Sequence, residues 1–215
     1  MYRILFLILV TIHGLIHLMG FSKAFQYAEM KQLTIVISKP VGLLWLTATL
    51  LFFASAILFL LKKDYWVIFS IAAVVISQLV IILSWHDAKF GTIANMIILV
   101  ASIISYGTWR YYDKYKNDVK TNLQQKEYFQ NSKLTEMDIQ HLPEPVKKYI
   151  RYTGSIGKPK VNNFKIEFTG KIRKNEQSEW MPFTSEQYNF IEIPTRLFFM
   201  KAVMKGLPVT GYHHF

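Results

Sequence analysis

Four long apolar runs fill the first half of this chain, and none appears in the second. They cover residues 4–21, 41–61, 65–85 and 93–109, each close to the ~20 residues with which a helix crosses a ~30 Å hydrocarbon core. The pattern predicts a four-helix transmembrane bundle over 1–109. Pro40 sits where the second span begins, and its fixed φ and missing N–H suit a first helical turn. The Lys62–Lys63–Asp64 turn is so short that spans two and three are antiparallel neighbours. Trp45, Trp66, Trp85 and Trp109, with Tyr65 and Tyr106, fall near predicted helix ends and read as aromatic interface anchors.

After Trp109 the pattern changes. Residues 110–131 are rich in Lys, Gln, Asn and Tyr, contain no Gly or Pro, and read as a polar stalk prolonging the fourth helix. Thr135 and Asp138 form a helix-start signal, and a short helix over 146–152 ends at Gly154. The segment 110–160 is thus a helical stalk and linker. From 161 to 215 the period becomes two. Phe164, Ile166, Phe168 and Ile172 point one way, and Lys165, Glu167, Lys171 and Arg173 the other. Further strands are expected over 179–191, 196–204 and 209–215. The fold class is therefore α+β: a membrane bundle, a helical linker and an antiparallel β-meander. An open meander leaves unprotected edges, so the chain is expected to be a truncated version of a longer protein.

Composition sharpens this division. The overall charge of +11 splits into +4 before Arg110 and +7 from there on. A basic tail beside a bilayer attracts anionic lipid headgroups, each nearby Lys or Arg contributing about 1 kcal/mol. No dense basic block or recognition motif accompanies it, so nucleic acid is not an expected partner. Lys/Arg counts in the loops favour both termini in the cytoplasm, six on that side (Arg3, Lys62, Lys63, Arg110, Lys114, Lys116) against four (Lys23, Lys31, Lys39, Lys89). The absence of cysteine excludes disulfides and thiolate chemistry.

Polar residues inside spans are the first place to seek function. His13 and His17 are four apart and stack on one face of the first helix, with Gly14 and Gly20 beside them. Gln78 lies in the third span, Asn95 near the start of the fourth, and His86 and Asp87 follow Trp85. One reading is a metal, haem or proton-relay site using His13, His17 and His86, with Asp87 orienting a ligand histidine. The plainer one is interhelical hydrogen bonding at about 0.6 kcal/mol per contact. His213 and His214 alternate faces on a strand and could not share one ion.

Several strings together carry a resemblance. They are His13-Gly14-Leu15-Ile16-His17-Leu18-Met19-Gly20-Phe21, Lys39-Pro40-Val41-Gly42-Leu43-Leu44-Trp45 and Trp85-His86-Asp87-Ala88-Lys89-Phe90-Gly91-Thr92-Ile93-Ala94-Asn95. Leu142-Pro143-Glu144-Pro145-Val146, Tyr149-Ile150-Arg151-Tyr152-Thr153-Gly154 and Trp180-Met181-Pro182-Phe183 extend it. The chain resembles an uncharacterised bacterial membrane-protein family with an N-terminal four-helix bundle and a C-terminal β-rich soluble domain. The resemblance implies an inner-membrane location, further strands beyond residue 215, and no assigned activity.

Two functions follow as expectations. The first is a membrane-anchored module binding an apolar or lipid-like ligand on the sheet face of Phe164, Ile166, Phe168 and Phe183, extended by Tyr188 and Phe190. The plainer reading of that face is an ordinary β-core. The second is the intramembrane metal or haem protein. No Gly-x-Ser-x-Gly elbow or His-Glu-x-x-His helix is present, so binding is preferred over catalysis. No catalytic residue, metal ligand set or cofactor is assigned.

Overall fold

The computed structural model describes residues 2–124, 132–204 and 207–215. The chain divides into two compact units, Met1–Trp109 and Arg110–Phe215.

Four helices of the first unit are long and apolar enough to cross a membrane. They are α1 (Tyr2–Ala24), α2 (Lys39–Leu60), α3 (Trp66–Leu83) and α5 (Gly91–Gln124), with the one-turn helix α4 (Trp85–Ala88) before α5. The apolar run expected over 65–85 does not stay one helix. Ser84 leaves helical geometry at φ −119°, ψ 35°, so Trp85, His86 and Asp87 belong to the separate turn α4. Lys62 takes a left-handed φ of 57°, which reverses the chain between α2 and α3 and places them side by side.

Small residues let the helices approach. Ala48, Ala56 and Ala73 are buried in a cluster with Val10, Phe52 and Ile98, as close packing between membrane helices requires. A Cβ at Gly20 would overlap the indole of Trp45, and one at Gly14 would lie 3.0 Å from Cβ of Phe52. Trp45 and Trp66 are therefore packing residues rather than interface anchors: they are 2% and 7% exposed. Trp66 sits edge-on to Phe6 and Phe59. Trp85, 52% exposed, keeps the placement expected of an anchor.

The second unit contains the Arg110–Gln124 part of α5, the short helices α6 (Glu136–Ile139) and α7 (Glu144–Tyr152), and a four-stranded sheet. Thr135 and Asp138 form a capping box at the start of α6. Part of the expected stalk, 125–131, lies outside the described residues, as does the turn at 205–206. Strands β1 (Asn163–Ile172), β2 (Met181–Phe190), β3 (Thr195–Met204) and β4 (Leu207–His214) form an antiparallel meander in chain order. The fold is thus of the α+β class.

Register separates the two sheet faces. Tyr188 pairs with Leu197, and Glu186 with Phe199, which pairs in turn with Tyr212. This face buries Leu197, Phe199 and Phe190 against Tyr115 and Val119 of α5. Tyr212 Oη donates to Asp118 Oδ2 at 2.5 Å. On the other face Ile166 stands opposite Gln187, Phe168 opposite Ser185 and Gly170 opposite Phe183.

Candidate functional site

In the bundle the sequence surrounds two histidines with apolar residues, so their ring nitrogens must find partners within protein. His13 and His17, 4% and 1% exposed, lie one helical turn apart on α1. His17 Nδ1 donates to the carbonyl of His13 at 2.8 Å, and its Nε2 meets Ser77 Oγ of α3 at 2.8 Å. His13 Nε2 meets Asn95 Oδ1 of α5 at 2.9 Å, and Ser77 Oγ approaches the same oxygen at 3.0 Å. The Asn95 and Gln78 amides join at 3.0 Å, and Gln78 reaches Thr92 Oγ1 at 3.2 Å. Four of the six singled-out polar residues therefore form one continuous chain of hydrogen bonds.

Beside that chain lies a cavity of about 440 Å³. Its polar wall is His13, His17, Gln32 and Asp87; Ile16, Met19, Leu33, Ile81 and Phe90 supply most of the apolar wall. Gly91 also lines it, and a Cβ there would press on Ile81 Cδ1 at 2.8 Å. Trp45 completes the wall, 5.1 Å from the His17 ring. Its indole Nε1–H is buried and has no hydrogen-bond partner among the described residues. Such an orphan costs roughly 1–3 kcal/mol.

The loop between α1 and α2 covers one end of this cavity through Gln32 and Leu33, and Asp87 pins it. The Asp87 carboxylate, 4% exposed, accepts from Thr34 N at 2.5 Å, Thr34 Oγ1 at 2.8 Å and Ile35 N at 3.0 Å. Its Oδ1 lies 3.0 Å from His86 Nδ1. These bonds, led by those of His86 and the Ile35 amide, hold the carboxyl well below the usual range. Lys23 Nζ donates to the Leu33 carbonyl and ties the same loop to α1.

His86 does not join His13 and His17: it is absent from the cavity wall, and its side chain is 81% exposed. Both ring nitrogens of His17 are engaged within the bundle. Among the described residues no three His, Cys, Asp or Glu side chains are grouped to hold a metal. Ser77, the junction of the network, is not legible in the sequence, because a serine inside an apolar run carries no spacing signal. Trp45, expected at the interface, is buried instead.

Of the sheet residues, Phe164, Ile166, Phe168 and Phe183 share one face. Phe164 and Phe168 are 42% and 49% exposed. Tyr188 and Phe190 lie on the opposite face, packed in the core beside α5; strand alternation separates them from Phe183 by an odd number of residues.

Residues 132–215 match a family of unknown function (DUF6544). The match takes in both short helices and all four strands. No curated protein and no solved structure matches the chain.

Proposed function

We propose that this protein is a membrane-embedded binding module whose bundle cavity holds an apolar, lipid-like molecule carrying a hydrogen-bond acceptor. The observation behind this reading is a largely apolar cavity of about 440 Å³ whose polar wall is His13, His17, Gln32 and Asp87. A carbonyl-type oxygen on the ligand would meet the polar wall at Gln32 and His13, and the apolar wall would hold the rest of the molecule. Ile16 lines the cavity and is also 49% exposed in the middle of α1. A bilayer would meet it there, so the ligand reaches the site from the lipid phase. The loop charges support a plasma-membrane orientation with both termini in the cytoplasm. The basic second unit would then face anionic headgroups.

A second reading places the ligand on the sheet, favoured by the exposed Phe164 and Phe168 on a face shared with Ile166 and Phe183. Native mass spectrometry of the full-length protein, released gently from its own membrane, tests both. The cavity reading expects a lipid-sized mass on the wild type, lower occupancy in Trp45→Phe, which reshapes the wall, and loss in the cavity-filling variant Ala94→Phe, at a residue that also lines the cavity. Wild type free of any organic mass refutes both readings. A mass that survives Ala94→Phe but leaves the Phe164→Ala/Phe168→Ala variant moves the site to the sheet.

A further inference from the structure

We infer that the hydrogen-bond chain from Thr92 to His17 takes up one proton at His17 and reports it to the cavity through the tautomer of His13. His17 Nδ1 faces the carbonyl of His13, which only accepts, so Nδ1 carries a hydrogen in every state. Ser77 has a single hydrogen and three neighbours, His17 Nε2 at 2.8 Å, Asn95 Oδ1 at 3.0 Å and, furthest, His13 Nε2 at 3.4 Å. With the amides of Asn95 and Gln78 as they stand, Ser77 must donate to Asn95. His17 Nε2 must then donate to Ser77, and His17 is an imidazolium. In that pattern His13 donates from Nε2 to the same Asn95 oxygen.

A neutral His17 leaves Ser77 donating to Nε2 and sets two oxygens, Ser77 Oγ and Asn95 Oδ1, against each other at 3.0 Å, with the nearest hydrogen that of His13 Nε2, aimed at Asn95 from 2.9 Å and 3.4 Å from Ser77. Turning both amides removes the conflict. Asn95 Nδ2 then donates to Ser77 and to His13 Nε2, Gln78 Nε2 donates to Asn95, and Thr92 donates to Gln78. His13 must now carry its hydrogen on Nδ1, an atom with no hydrogen bond to the described residues. The two patterns differ by one proton, taken from the aqueous medium and held on His17. His13 lines the cavity, so its Nδ1 is a donor towards its surroundings in the neutral pattern and an acceptor in the charged one.

The groups around His17 leave the ring pair in charge of this exchange. His17 meets His13 on its own helix, Trp45 and Phe52 on α2 and Ser77 on α3, with Asn95 of α5 reached through Ser77. The carboxylate lining the same cavity, Asp87 of α4, is committed to Thr34, Ile35 and His86. What the proton is coupled to rests on the ligand reading above; the proton count does not.

Solid-state NMR of the full-length protein, labelled with ¹⁵N-histidine and placed in phosphatidylcholine bilayers, reads both rings during acidification. The expected result is that His17 passes from neutral to imidazolium while His13 switches from Nδ1–H to Nε2–H at the same midpoint. In Asn95→Leu the His13 tautomer should cease to follow His17; Ser77→Ala makes the same cut if Asn95→Leu does not fold. Trp45→Phe should keep the coupled transition even where it loses the ligand, which separates failure of this inference from failure of the cavity reading. A His13 tautomer that stays fixed through the His17 transition, or coupling that persists in both network variants, overturns the proposal.

Discussion

The two units expose opposite kinds of residue and differ in the polar groups they bury. In the bundle His13, His17, Ser77, Asn95 and Ser102 are buried, while Ile4, Leu5, Ile8, Ile12 and Leu15 are exposed along α1. In the sheet unit Leu197, Phe199 and Tyr115 are inside, and ion pairs such as Arg151–Glu136 and Lys160–Asp138 lie outside. The difference is the one expected of a chain that answers to two solvents. Hydrocarbon offers no reason to hide a leucine, so a membrane unit hides what lipid cannot hydrogen-bond. Water rewards burying the aromatic residues.

The sharpest way to break the comparison is to remove a core residue from the sheet unit. Leu197→Ala, at a fully buried site, should destabilise the sheet unit by about 3 kcal/mol. Hydrogen exchange on the full chain should quicken in β2 and β3 and leave α1–α3 unchanged. Equal loss of protection in the bundle would show that the units do not unfold separately. The converse change is Gly20→Val, which drives a side chain into the Trp45 indole. Overpacking of this kind costs about 2 kcal/mol and should lower the thermal stability of the bundle in detergent while sparing the exchange pattern of the sheet.

The smallest expected effect is confined to the loop over the cavity. Asp87 has a folded-state pKa below its ordinary value of 3.8. Its contribution is therefore complete above that ordinary value and disappears as pH falls through the lower folded one. Asp87→Asn should raise amide exchange at Thr34 and Ile35 at neutral pH, corrected for intrinsic rate, and remove the acid-dependent part of their protection. Unchanged protection at both amides would mean that the loop is held by Leu33 and Ile37, buried beside it, and not by the carboxylate.

Much of this architecture was legible from pattern. The helices follow the apolar runs because length and hydropathy alone define a span, and the period-two stretch yields β1 with Phe164, Ile166 and Phe168 on one side. Pairing was less legible. Phe183 joins that face and Tyr188 does not, because the alternation of β2 is masked by aromatic residues on both of its sides. At the site, the four-residue spacing of His13 and His17 announced a shared helix face, whereas the partners Ser77 and Asn95 come from helices 60 and 82 positions away. Which serine in an apolar run faces inward depends on how the helices turn about their axes, and packing sets that rotation. Trp45 misled for the same reason: near a helix end, an indole anchored in headgroups and one seated on a glycine have the same sequence signature.

That seat has a consequence for discrimination among ligands. The indole lies where a side chain of residue 20 would otherwise stand, and the same indole is a wall of the cavity. The hydrogen atom that serves as the side chain of Gly20 therefore sets how far that wall withdraws. The width available to a guest molecule is fixed from behind, by a residue that does not line the cavity itself.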